Sequence, residues 1–373
     1  MRIRMAAAGA ISVACACAVL LAGCETTPEP DTRPAAAKNG DTRPLAGQAA
    51  APRLPVPRGD GSRVPADFNG DGHRDLVLNG LVKAPGDTHG DDAGIGIVYG
   101  TAAARGLDPA VRQLLTPRAN AAEVKGTLPA AFDAEASCDL DKDGFADLIV
   151  ATDPPYDGIG RTPVPLQLLF GSPTGLGGKA VVLRIPDEAR YGNDWPDNPV
   201  CGDFDGDGST DLAVTASAGR ISFLPGPFTR TGAPRTAVAP FPGGGTALAA
   251  PAMEADINGD DADDLVVLSR PHAPGAASKG KLLLGGPDGP RRPGGTHVFD
   301  AVATPPPPAL SAGEKQPTTD VLIQADFDGD KRPDLVTRTH RGERADVVAL
   351  YPAKPAKAPP LITFSTSVFL SGL

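Results

Sequence analysis

The sequence predicts an all-β protein of repeated four-stranded antiparallel sheets, the blades of a β-propeller, and three observations predict it. An Asp-rich segment recurs five times between residues 67 and 335, with successive starts 53 to 72 residues apart; a loose period in that range marks a supersecondary unit. Short apolar, strand-like runs flank every copy and stop at Gly, Pro or Asn. The 373 residues include 45 Gly and 41 Pro, a turn density that suits many short strands, and no long amphipathic helix pattern follows residue 60.

Each unit has one plan. A short apolar stretch enters the Asp segment, as in Val200-Cys201-Gly202 or Val321-Leu322-Ile323. The segment leaves into a second run: Leu76–Leu78, Leu148–Val150, Leu212–Val214, Leu265–Leu268 and Leu335-Val336. A third run ends at Gly or Pro, covering 95–100, 166–171, 221–226, 282–286 and 347–352, and a weaker fourth follows, as in Val181–Leu183 or Leu361–Phe364. Four short strands per unit make one antiparallel blade. Five blades are counted, and residues 85–94 and 101–130 leave room for a degenerate sixth.

The N-terminus reads as an address. Arg2 and Arg4 precede an apolar stretch from Ile11 to Leu21, too short to span a bilayer. Leu21-Ala22-Gly23-Cys24 then has the form of a bacterial lipobox, which predicts a signal peptide over 1–23 and a lipid on Cys24 that anchors the chain to a membrane face. Residues 24–60 are rich in Pro, Ala, Thr and charge without apolar periodicity, and are expected to be a disordered tether. The propeller is expected over 61–373. Net charge is -10 with no basic stripe, which argues against a nucleic-acid partner.

The repeated segments carry the chemistry. Positions 1, 3, 5 and 9 are Asp67, Asn69, Asp71 and Asp75 in the first copy; Asp139, Asp141, Asp143 and Asp147 in the second; and Asp203, Asp205, Asp207 and Asp211 in the third. The fourth has Asp256, Asn258, Asp260 and Asp264, and the fifth Asp326, Asp328, Asp330 and Asp334. Alternate side chains of a tight loop can converge on one cation, and calcium takes six to eight oxygens from carboxylates, carbonyls and water. Position 7 (His73, Phe145, Ser209, Ala262 and Arg332) is expected to offer only its backbone carbonyl. Eighteen carboxylates fall at the ligand positions, and like charges a few ångströms apart repel by roughly 1 kcal/mol per pair even in water. Up to five Ca²⁺ ions would offset that repulsion; Mg²⁺ is less apt because it demands strict octahedral geometry. Gly72, Gly144 and Gly208 supply the sharp turn at position 6. Asp261 replaces Gly in the fourth loop, and Lys331-Arg332-Pro333 put positive charge into the fifth, which is expected to be the weakest site. The acidic run Asp87, Asp91 and Asp92 around His89 reads as a solvated loop.

These DxDxDGxxDL loops, with Val98-Tyr99-Gly100 and Leu169-Phe170-Gly171-Ser172 before Gly175-Leu176, resemble the FG-GAP (VCBS-like) repeats of integrin α-subunit propellers and of many bacterial surface proteins. The resemblance spans about residues 60 to 370; the loop is specific, whereas the Phe-Gly element varies, as in Phe223-Leu224-Pro225-Gly226. It implies calcium loops between the first and second strands of each blade. In that layout Cys138 and Cys201 end the first strands of neighbouring blades, where either a disulfide or two thiols can stand. The expected function is a non-catalytic surface module that presents a propeller face to a protein or glycan. A lectin, with Trp195 beside Tyr191 and Asp197 as its sugar platform, and a propeller-associated polysaccharide hydrolase or lyase are the alternatives. No G-x-S-x-G or H-E-x-x-H motif supports an enzyme.

Overall fold

In the computed structural model the described residues are 52–102, 106–154, 165–192, 196–251, 255–305, 317–342, 344–353 and 358–370. The lipobox with Cys24, most of the tether and Trp195 lie outside them.

Five antiparallel sheets follow one another along the chain. The second holds β4 (Ala131–Cys138), β5 (Asp147–Asp153), β6 (Gln167–Leu169) and β7 (Val181–Val182). The third holds β8 (Val200–Gly202), β9 (Asp211–Ala216), β10 (Arg220–Leu224) and β11 (Phe241–Pro242). In the fourth are β12 (Ala247–Ala249), β13 (Leu265–Leu268), β14 (Ser278–Leu284) and β15 (Arg292–Phe299). The fifth consists of β16 (Thr319–Ala325), β17 (Asp334–Arg341), β18 (Arg344–Tyr351) and β19 (Ile362–Ser365). In all four, neighbours in sequence are neighbours in the sheet, and the Asp loop joins the first strand to the second. The central strands are buried on both faces, which is why they read as unbroken apolar runs such as Leu265–Leu268 rather than as alternation.

The first sheet departs from the expected plan. It has three strands, β1 (Leu76–Leu78), β2 (Ile95–Thr101) and β3 (Gly106–Leu115). The residues before its Asp loop, 57–66, form no strand. Just past β1 the Asn79 side chain ties this sheet to the second: its Nδ2 donates to the Ala134 carbonyl and its Oδ1 accepts from the Ala134 N–H, at 2.8 and 2.9 Å. No sixth sheet occurs among the described residues, and the stretch 101–130 instead supplies β3 and a helical turn at Pro117–Asn120.

Adjacent sheets share cores. Ile95, Ile97 and Tyr99 of the first pack with Phe132, Leu148 and Val150 of the second; Ile149 and Leu168 pack with Leu212 and Val214 of the third; Phe204 and Phe223 pack with Leu265 and Leu283 of the fourth. Val302, past the fourth sheet, packs with Val321 and Leu335 of the fifth. Leu76, Leu78 and Val98 then share a core with Phe327, Val336 and Val348, so contact passes from the fifth sheet back to the first. Arg338 reinforces that joint: its guanidinium pairs with buried Asp346 at 2.6 Å and donates to the Asn79 and Gly80 carbonyls of the first sheet. Cys138 at the end of β4 and Cys201 in β8 form a disulfide between the second and third sheets, with their Cα atoms 6.4 Å apart.

Candidate metal centre

All five Asp loops share one backbone. Position 1 folds its carboxylate over the loop it opens, and one oxygen accepts from the position-6 N–H in every copy: Asp67 from Gly72 at 2.7 Å, Asp139 from Gly144, Asp203 from Gly208, Asp256 from Asp261 and Asp326 from Lys331, all within 2.9 Å. Position 5 accepts from the N–H of position 7, joining Asp71 to His73, Asp143 to Phe145, Asp207 to Ser209, Asp260 to Ala262 and Asp330 to Arg332. The curl needs a left-handed residue at position 6, and Asp261 (φ 67°) and Lys331 (φ 62°) adopt it as Gly does elsewhere. It needs a second one at position 4, where Gly70, Gly206, Gly259 and Gly329 are joined by Lys142. Position 4 escaped the motif reading, although Gly in four of five copies was its signal.

Position 9 clamps the loop to the sheet. One oxygen of Asp75 accepts from Phe68 N–H at 2.8 Å and the other from Gly100 N–H at 2.9 Å. Asp147 repeats this with Leu140 and Gly171, Asp211 with Phe204 and Gly226, and Asp264 with Ile257 and Gly285. This explains the Gly that closes the third strand of a blade. A Cβ at Gly100, Gly171, Gly226 or Gly285 would stand 2.1 to 2.5 Å from the carbonyl oxygen of position 8, closer than any real contact. In the fifth loop, where Leu335 pairs with Tyr351, the corresponding residue is Ala353 rather than Gly, and Asp334 accepts from Phe327 and Asp328 through one oxygen while the other has no donor.

What these bonds leave over is informative. Asp139, Asp141 and Asp147 bring one oxygen each within 4.8 Å of one another, as do Asp203, Asp205 and Asp211, and Asp326, Asp328 and Asp334. The first and fourth loops carry Asn at position 3 and two fewer carboxylates between them. Asn69 Oδ1, Asp141 Oδ1, Asp203 Oδ1 and Asp334 Oδ1 are shut off from solvent with no donor. A shielded oxygen without a donor costs about 1–3 kcal/mol, and more when charged. Burial, reinforced by neighbouring aspartates, pushes Asp147 up to about 8, Asp211 to about 7, and Asp141 and Asp334 to about 6 despite the N–H groups they accept from. Burial likewise holds Asp75 well above the usual carboxylate range. The loops hold more negative charge than their surroundings solvate.

Guanidinium groups reach toward some of that charge from outside. Arg230 pairs with Asp141 and Asp143, Arg235 with Asp205 at 3.2 Å and Asp207 at 2.6 Å, and Arg292 with Asp260. In the fifth loop Arg332 lies 3.7 Å from Asp330. The donor set of every loop is oxygen only, the set a hard divalent cation takes. At position 7, Phe145 and Ala262 carry no side-chain ligand atom, and Ser209 Oγ accepts from Lys142 Nζ at 3.2 Å. At the other acidic run, the Lys83 ammonium sits between Asp87 and Asp91 and donates to the His89 and Asp91 carbonyls. That loop has its own cation.

Against known families, residues 200–233 match the model of the FG-GAP repeat. The chain carries an FG-GAP repeat. The matched segment runs from β8 through the third Asp loop, β9 and β10 to the turn beyond Gly226, and so contains the whole clamp of Asp211 with Phe204 and Gly226. The other four loops share with the matched one the bonds from position 6 to position 1, from position 7 to position 5 and from position 2 to position 9. No curated protein matches the chain.

Proposed function

We propose that this chain is a calcium-stabilised FG-GAP propeller that acts as a non-catalytic binding or adhesion module, held by lipid on Cys24 at the outer face of a bacterial membrane. The observation that carries the calcium reading is the set of three shielded, donorless oxygens at positions 1 or 3 of the first three Asp loops, on Asn69, Asp141 and Asp203. A cation bound there supplies the missing partner and neutralises the remaining carboxylates. Asp or Asn at positions 1, 3 and 5 would hold it, with the position-7 carbonyl and water; position 9 acts mainly by fixing the loop. Calcium then has a structural role, keeping the strand-joining loops rigid enough to present a surface to a protein or glycan.

A thermal melt of the full chain tests it, with calcium and then with excess chelator. Each site held at about 100 to 1,000 times its dissociation constant adds roughly 3–4 kcal/mol, so a large calcium-dependent rise in Tm is expected. An unchanged Tm, with no calcium retained by the purified protein, refutes the reading.

A further inference from the structure

The first Asp loop is covered by the segment that precedes it in the chain. Residues Pro57 to Ser62 cross it as a strap. Asn69 Nδ2 donates to the Pro57 carbonyl at 2.9 Å, Gly59 N–H to the Asn69 carbonyl at 3.1 Å, and Gly61 N–H to the Gly70 carbonyl at 3.2 Å. The strap ends on two loops at once. Ser62 Oγ donates to Asp67 Oδ2 at 2.6 Å, and Ser62 N–H donates to the Gly144 carbonyl of the second loop at 2.7 Å. The approach is close enough that a Cβ on Gly59 would stand 2.1 Å from the Gly70 carbonyl. Under the strap Asp67 and Asn69 are buried, while Asn258, at position 3 of the uncovered fourth loop, is exposed.

We infer that strap docking and cation binding in the first loop are one coupled equilibrium; this rests on the cation reading proposed above. The coupling runs through the Asn69 carboxamide. Donation from Nδ2 to Pro57 fixes the amide so that Oδ1 faces inward, buried and without a partner. A cation on Oδ1 completes that orientation and holds Nδ2 toward the strap. Without it, the amide can relieve its stranded oxygen only by turning, which breaks the bond to Pro57. Asn at position 3 lets one atom face a cation while the other donates to the strap. A carboxylate would face the Pro57 carbonyl with an oxygen. Since a coupling is reciprocal, lifting residues 57–62 off the loop weakens the cation by the same factor, and whatever pulls on the preceding segment acts on this site.

Hydrogen exchange of the full chain reads both halves separately, because Gly59, Gly61 and Ser62 donate the strap bonds through their own amides. With calcium, peptides covering 57–63 are expected to exchange at least about tenfold slower than with chelator, the factor a loss of roughly one well-formed hydrogen bond gives. In Asn69→Asp, which keeps an oxygen ligand and removes the donor, calcium should still slow the loop amides 70–75 but no longer the strap. Calcium protection of the wild-type loop amides with no change in the strap overturns the coupling and leaves the cation reading standing. Protection of neither overturns both.

Discussion

The joint between the third and fourth sheets and the joint between the fourth and fifth are built from the same parts and finished differently. At the first, Asp263 N–H donates to the Asp203 carbonyl at 2.8 Å and Gly286 N–H to the Phe204 carbonyl at 2.9 Å, so the fourth sheet closes over the third loop and leaves Phe204 0% exposed. At the next joint the first of these places is held by Pro333, which has no N–H. The fourth loop is left uncovered on that side, and Ile257, which stands where Phe204 does, is 42% exposed. A proline thus stands at the open joint where the sealed one has a donor, although the Asp loops on either side are nearly identical.

Substitutions sharpen the contrast. Phe204→Ala should cost about 4 kcal/mol in urea unfolding, since it empties a packed site, whereas Ile257→Ala should cost under about 1 kcal/mol; equal losses would show that the fifth sheet does cover Ile257. Gly285→Ala comes next, at about 3 kcal/mol, because its Cβ would meet the Asp263 carbonyl and disturb an N–H that Asp264 accepts. The smallest effect concerns protons. Asp211 at the sealed joint and Asp334 at the open one both have folded-state values above the unfolded one, about 7 and about 6. Their contribution is full below about pH 4 and is lost as pH rises through those values, because the folded state holds the extra protons. In chelator, the urea midpoint should therefore fall between pH 5 and 8, and saturating calcium should flatten that slope.

The five loops and the strands around them were legible because their signals are local: an Asp at alternate positions, a Gly where φ must be positive, an apolar run of four. The strand missing from the first sheet was not, since nothing near residues 57–66 shows that they would bond to the Asp loop instead of pairing with β1. Ile257 also reads as an ordinary core residue, and its exposure goes with a missing donor at Pro333, 76 positions away. The motif gave Asp75 and its equivalents as ligands; the structure makes them clamps for two backbone N–H groups first, a role visible only once the Gly across the sheet is in place. Cys138 and Cys201 could be placed on neighbouring blades from the repeat alone, but their pairing depends on how closely β4 and β8 approach.

The outer strand of the first sheet has one more property. Leu54 N–H donates to the Ala110 carbonyl, and Arg112 Nε donates to the Val368 carbonyl, each at 2.8 Å. Segments more than three hundred residues apart in sequence are thus pinned two residues apart on β3, and on the folded surface the repeat array behaves as a nearly circular polymer. The order in which its sheets are encoded is then a matter of where the circle is cut: a permuted chain joined across β3 and opened between the fourth and fifth sheets would retain every sealed joint.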